Sequence, residues 1–166
     1  PNLAIGTTPT YVSNTTFAYD IGGVTYTKTA VPVGTSPNSL GAVTVPDSLY
    51  GASALDIDSS GTITAVEAAG NGTGYASAAL APAALASVAS TKFRMGVITA
   101  INASGIGIGF RFGSTSLATG TTVTATYTDS TASDSRVNYI VVTDDDATDT
   151  LHQVVIVMTT SDGRVV

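Results

Sequence analysis

The residue types with the clearest chemical potential are acidic. Asp56, Asp58, Ser60, Gly61, Ile63 and Glu67 follow the spacing Asp-x-Asp-x-Ser-Gly-x-Ile-x-x-x-Glu. This is the pattern of an EF-hand calcium loop, with glycine at its sharp turn and a closing glutamate. Such a loop needs a helix on each side. Its flanks here, Ser48-Leu49-Tyr50-Gly51-Ala52 and Ala69-Gly70-Asn71-Gly72, have no helical pattern. Ser59-Ser60-Gly61 is turn chemistry, and Ile57 and Ile63 suit strands. The expectation is a metal-free hairpin, in which Asp56→Ala changes stability no more than a surface substitution does, about ±0.5 kcal/mol.

A second acidic group, Asp144, Asp145, Asp146 and Asp149, has the oxygen ligands for a hard cation but reads more simply as a solvated turn. His152, the only histidine, lies between Leu151 and Gln153 in an apolar run. With no Gly-x-Ser-x-Gly and no second histidine, it offers neither a nucleophilic triad nor a histidine metal site. Gly105-x-Gly107-x-Gly109 lacks the spacing and the following helix of a dinucleotide loop. Those glycines are expected on a strand face, where they let a packed neighbour approach. Asn14-Thr15-Thr16, Asn71-Gly72-Thr73 and Asn102-Ala103-Ser104 match the glycosylation pattern, which a chain rich in Thr and Ser produces by chance. Seven tyrosines without a tryptophan make a poor sugar-stacking platform. The absence of cysteine excludes a disulfide scaffold and thiolate-bound zinc. We therefore expect no catalytic, cofactor-binding or metal-binding residues, no cofactor, and a non-enzymatic structural protein.

The elements behind these residues are strands. The 166 residues include 28 Thr and 18 Val but one Glu, one Gln and two Lys. β-Branched residues suit strands, while the straight-chain polar residues of exposed helices are nearly missing. The fold class expected is all-β, an antiparallel sandwich or barrel-like domain with one short Ala-rich helix. Thr16 to Lys28 reads as a hairpin turning at Gly22-Gly23. Thr29 to Gly41, punctuated by Pro32, Gly34 and Pro37, reads as a loop. Ala42 to Val45 is a short strand ended by Pro46. Ala54 to Asp58 and Thr62 to Glu67 form a second hairpin. Ala76 to Ala89, with Leu80, Leu85 and Val88, is the one helix, and Pro82 sits in its first turn or divides it.

Beyond the helix, Arg94 to Ile101 is a strand. So is Ile106 to Phe112, with Ile106, Ile108, Phe110 and Phe112 on one face. Thr121 to Thr128 points Val123, Ala125 and Tyr127 at the core and threonines away from it. The Ser/Thr/Asp-rich stretch Asp129 to Ser135 is a seam. It divides a β-rich domain, 1–130, from a C-terminal β extension, 131–166, with strands Val137 to Thr143 and Leu151 to Thr159. Val154 to Met158 is apolar on both faces, and such a strand must be covered on both sides. An extension of this kind suits pairing with a neighbouring chain. No internal repeat is present.

Charged residues make up 11% of the chain, against roughly 25% in ordinary globular domains, and the net charge is −6. A surface of Thr, Ser, Ala and Gly fits contact with other subunits. The six basic residues are scattered along the sequence, so no footprint for nucleic acid exists. No apolar run reaches the length of a membrane helix. The opening Pro1-Asn2-Leu3-Ala4-Ile5-Gly6 has no basic stretch followed by an apolar core. Neither nucleic acid nor a membrane is an expected partner.

The run Leu3-Ala4-Ile5-Gly6-Thr7-Thr8, followed by Phe17-Ala18-Tyr19-Asp20-Ile21-Gly22-Gly23-Val24-Thr25-Tyr26-Thr27-Lys28, resembles the opening of the small decoration (cement) proteins of tailed phages. The similarity continues through Val45-Pro46-Asp47, Tyr50-Gly51-Ala52, Ser60-Gly61-Thr62-Ile63 and Gly74-Tyr75 with the Ala-rich segment. It resumes at Met95-Gly96-Val97-Ile98 and ends at Thr124-Ala125-Thr126-Tyr127-Thr128-Asp129. The ordered series, covering about residues 3–130, carries the resemblance, and 131–166 has no counterpart. It implies a β-rich virion protein on the outer capsid surface, commonly a homotrimer, whose partners are the major capsid protein and its own copies. The competing classes are a phage fibre or tail-surface module and a carbohydrate-binding adhesin domain. A fibre would show repeats and a sugar-binding module an aromatic platform.

Overall fold

In the computed structural model, which describes residues 1–39, 41, 43–118 and 123–130, alternating valine, threonine and aromatic residues are drawn out into strands. The chain runs through β1 (Ala4–Ile5), β2 (Val12–Asn14), β3 (Phe17–Ile21), β4 (Val24–Lys28), β5 (Val31–Thr35), β6 (Tyr50–Asp58), β7 (Ile63–Glu67), α1 (Leu80–Ala83), β8 (Lys92–Asn102) and β9 (Val123–Asp129). The strands form antiparallel sheets ordered β1-β2-β5, β3-β4 and β7-β6-β8-β9. The fold is all-β with one short helix.

The first hairpin forms as the sequence indicates. Gly22 and Gly23 have φ of +58° and +80°, the left-handed pair that a two-residue turn needs. The turn sets the register from Ile21↔Val24 to Phe17↔Lys28. Phe17 and Tyr19 then lie on one face and pack against Phe93 of β8, with ring centroids 6.5 and 5.9 Å away. This hairpin and the β1-β2-β5 sheet contribute Tyr19, Leu3 and Val12 to the same core as Leu55, Ile57, Met95 and Ile98 of the four-stranded sheet.

At the centre of that sheet, β6 is buried on both faces over Gly51 to Ile57. Leu55 and Ile57 enter the main core, whereas Ala52 joins Ala68 and Ala81 in a small second cluster. The register of β8 against β6 shifts between Leu55↔Gly96 and Asp56↔Arg94, so Met95 is an extra residue. This bulge switches the inward positions of β8 from odd to even numbers: Phe93 and Met95 before it, Ile98 and Ala100 after it. In β9, Val123 is buried, Ala125 and Tyr127 are half-buried, and Thr124, Thr126 and Thr128 are exposed, as the alternation predicts.

Four segments differ from expectation. Residues 29–41 contain β5, with Pro32 at an exposed position and Gly34, φ +94°, against the Val12 backbone where the β2–β5 register is irregular. Proline and glycine are tolerated at such an edge and bulge. Of the strand expected at Ala42 to Val45, only a single bridge from Val45 to Phe110 forms, and Ala42 lies outside the described residues. Helix Ala76 to Ala89 shrinks to the four residues of α1. Its N-cap is Ala79, with no side-chain cap, and Pro82 removes a donor, so little offsets the cost of helix nucleation. Leu80 and Val88, expected in the core, are exposed.

The last difference is Ile106 to Phe112, which is not a strand. Gly105 and Gly107 adopt φ of +68° and +77° and turn the chain, leaving Ile106 and Ile108 exposed while Phe110 and Phe112 are buried. Only Gly109 fulfils the close-approach role, since a Cβ there would overlap the Val45 carbonyl. The C-terminal section from 131 onward, with its acidic loop, His152 and both expected strands, lies outside the described residues.

Candidate assembly surface

The carboxylates of the calcium-like motif do not converge. Asp56 is buried in β6 and takes two hydrogen bonds from Arg94, Nε to Oδ1 at 2.9 Å and Nη2 to Oδ2 at 3.2 Å. Asp58 closes the β6–β7 turn. Its Oδ1 accepts from the Ser60 hydroxyl at 2.6 Å and from the Ser60 and Thr62 amides at 2.9 and 3.0 Å. The Ser60 hydroxyl and the Thr62 amide hold this carboxyl below its usual range. Glu67 is buried at the far end of β7, where it accepts from the Ser39 amide and the Asn71 side-chain amide. Asp56 was expected to behave as a surface position. It is instead half of a buried ion pair, because β6 sits in the middle of its sheet.

The other charged side chains are also engaged within the described fold. Asp20 accepts from Thr25, Asp47 from Ser104 and Gly107, and Asp129 from the Leu3 amide. Lys28 donates to the Gly61 carbonyl, Lys92 to the Thr64 hydroxyl and Arg111 to the Thr44 hydroxyl. Among the described residues, no group of three His, Cys, Asp or Glu side chains could hold a metal ion. No helix among them is long and apolar enough to cross a membrane.

The three glycosylation-pattern asparagines are all buried. Asn71 accepts from the Ala52 amide and donates to the Ala52 carbonyl, both at 3.0 Å, so one side chain pairs like a strand residue with β6. Asn102 donates to the Ile108 carbonyl and accepts from the Ser104 amide. Asn14 donates to the Thr15 and Thr29 carbonyls. Sequence reading missed these roles. The one signal was asparagine inside or beside an apolar strand, which in a fold must find partners.

No described tyrosine is fully exposed. Tyr19 donates to the Asp58 carbonyl at 2.8 Å, and its burial, the Asp58 charge and Tyr26 together push its hydroxyl above the ordinary phenol range. Burial likewise raises Tyr127.

What remains outward is neutral. Ile106 and Ile108, 65% and 61% exposed, stand on a loop braced by Asp47 and Asn102. Thr124, Thr126 and Thr128 line the outer face of β9. A groove of roughly 480 Å³ runs between these threonines and Tyr50, Ala78 and Pro82. This surface suits apolar and main-chain contact with another protein. No protein-family model, curated protein or solved structure matches this chain.

Proposed function

We propose that this chain is a structural virion protein that decorates and stabilises a phage capsid from its outer surface, as a homotrimer seated on the major capsid protein. The observation that carries the reading is the fate of its charges. Each charged side chain of the described residues is bonded inside the fold, and the outward surface is left to threonine, alanine, glycine and a few isolated apolar side chains. A neutral surface of this kind has little to offer a reaction and suits protein contact. The ordered segments that resemble cement proteins support the same reading, as does the Phe17–Lys28 segment, which is a hairpin. Threefold contact multiplies weak patches into avidity on a symmetric lattice. Strands from 137–166 reach a neighbouring subunit in this proposal, giving an obligate, apolar interface of about 2,000 Å² or more.

Light scattering on the purified chain should give three times its 16.6 kDa mass. The same protein, incubated with capsids stripped of it, should sediment with the particles. A monomer that stays in the supernatant would contradict the proposal.

A further inference from the structure

The four-stranded sheet ends in an edge that carries none of the usual protection. Among the described residues, β9 pairs with β8 alone, in an unbroken register from Gly96↔Asp129 to Asn102↔Val123. Natural edge strands are kept short or blunted with lysine, proline or a bulge. The other edges follow that rule. β1 has two residues, and β5 carries Pro32 and an irregular register. By contrast, β9 is seven residues long and continuous, with no proline, no lysine and one charge at its end.

The hydrogen-bond phase shows which groups lie open. The Ser130 amide bonds the Met95 carbonyl, so Gly96↔Asp129 is a non-hydrogen-bonded pair. The pairs Val97↔Thr128, Thr99↔Thr126 and Ile101↔Thr124 then exchange both main-chain bonds with β8. By the same alternation, the amides and carbonyls of Ala125 and Tyr127 point away from β8, toward the open edge.

We propose that this edge receives an extended strand from a second copy of the chain, and that the strand is the apolar segment Leu151 to Thr159. The inference rests on the assembly reading above and names its contact. Main-chain pairing supplies the attachment, as in strand addition to other open sheets. Val154 to Met158 is apolar on both faces, so it needs a sheet edge with a core on one side and a covered groove on the other. At the β9 edge, the core side continues the row of Val123, Ala125 and Tyr127, and the other side borders the groove containing Tyr50, Ala78 and Pro82.

Amide exchange on the full-length oligomer tests the edge directly. Ala125 and Tyr127 should exchange as slowly as Thr126, whose amide bonds β8. Exchange at the rate of open amides, beside a protected Thr126, would overturn the proposal. The source of the strand is tested with single cysteines, since the chain has none of its own. Thr126→Cys is mixed with variants carrying one cysteine at each position from 154 to 158 and oxidised. A disulfide between the two kinds of chain is expected. Slow exchange with no mixed disulfide at any position would show that another strand closes the edge, and would overturn the assignment to a second copy. Ala125→Pro, which removes only an outward amide, should convert the oligomer to monomer while the Thr126 amide stays protected. An unchanged mass would count against the proposal. Capsid binding is a separate readout: a closed edge in a protein that binds no particle keeps this inference and defeats the decoration reading.

Discussion

Asp56 illustrates how much of a residue's role is set by a partner remote in sequence. Its spacing from Asp58 and Glu67 invites calcium, yet its energetics belong to Arg94, which lies 38 positions away and reaches it across the β6–β8 register. Nothing local in the sequence announces that partner, so a surface-like response was the natural expectation. Removing one member of a buried ion pair strands the other, and Asp56→Ala should cost about 3 kcal/mol, at the low end of such losses because Arg94 keeps some exposure. Denaturant melts of the variant measure this, and a change within about ±0.5 kcal/mol would restore the surface reading. Asp58 and Tyr19 set the pH response. Asp58 is lowered in the fold, so its contribution is present above the ordinary carboxylate range and is lost as pH falls through its depressed value. Tyr19 is raised, so its contribution is complete below about pH 10 and is lost as pH rises through the elevated value. Melting temperature against pH should fall at both ends, and Tyr19→Phe should flatten the alkaline side. An alkaline limb unchanged in Tyr19→Phe would contradict this assignment.

Elements were legible where they are local. Two glycines between alternating strands predict the first hairpin and its register, because a tight turn and its flanking strands are decided by neighbouring residues. The β6–β7 hairpin and the facing of β9 follow from the same logic. Legibility failed where long-range packing decides. The alanine run has helix propensity, but Leu80, Leu85 and Val88 make no continuous stripe and Pro82 interrupts the donors, so one turn survives. Ile106 to Phe112 alternates like a strand, yet Gly105 and Gly107 take left-handed conformations and the chain meets its neighbour only at Val45–Phe110. Gly109→Ala should therefore destabilise by about 2–3 kcal/mol, since its methyl would overlap the Val45 carbonyl. Leu80→Ser, on an exposed position, should stay within about ±0.5 kcal/mol. Thermal or urea melts of the two variants check the contrast, and equal losses would contradict this account of the two segments.

At the scale of the whole molecule, the claim is that this fold spends its charges internally and keeps a neutral exterior for contact with a protein lattice. The candidate site was only partly legible. Absence of a chemical motif could be read from the residues, but the open edge of β9 and the braced Ile106–Ile108 loop depend on topology that no local pattern encodes. Cryo-electron microscopy of the intact phage particle whose genome encodes the chain tests the claim most directly. The account predicts density for 1–130 on the outer capsid surface, repeated in threes around the threefold positions of the lattice and in contact with the major capsid protein. Density for the chain confined to the tail or its fibres, or a particle that lacks the chain altogether, would contradict it.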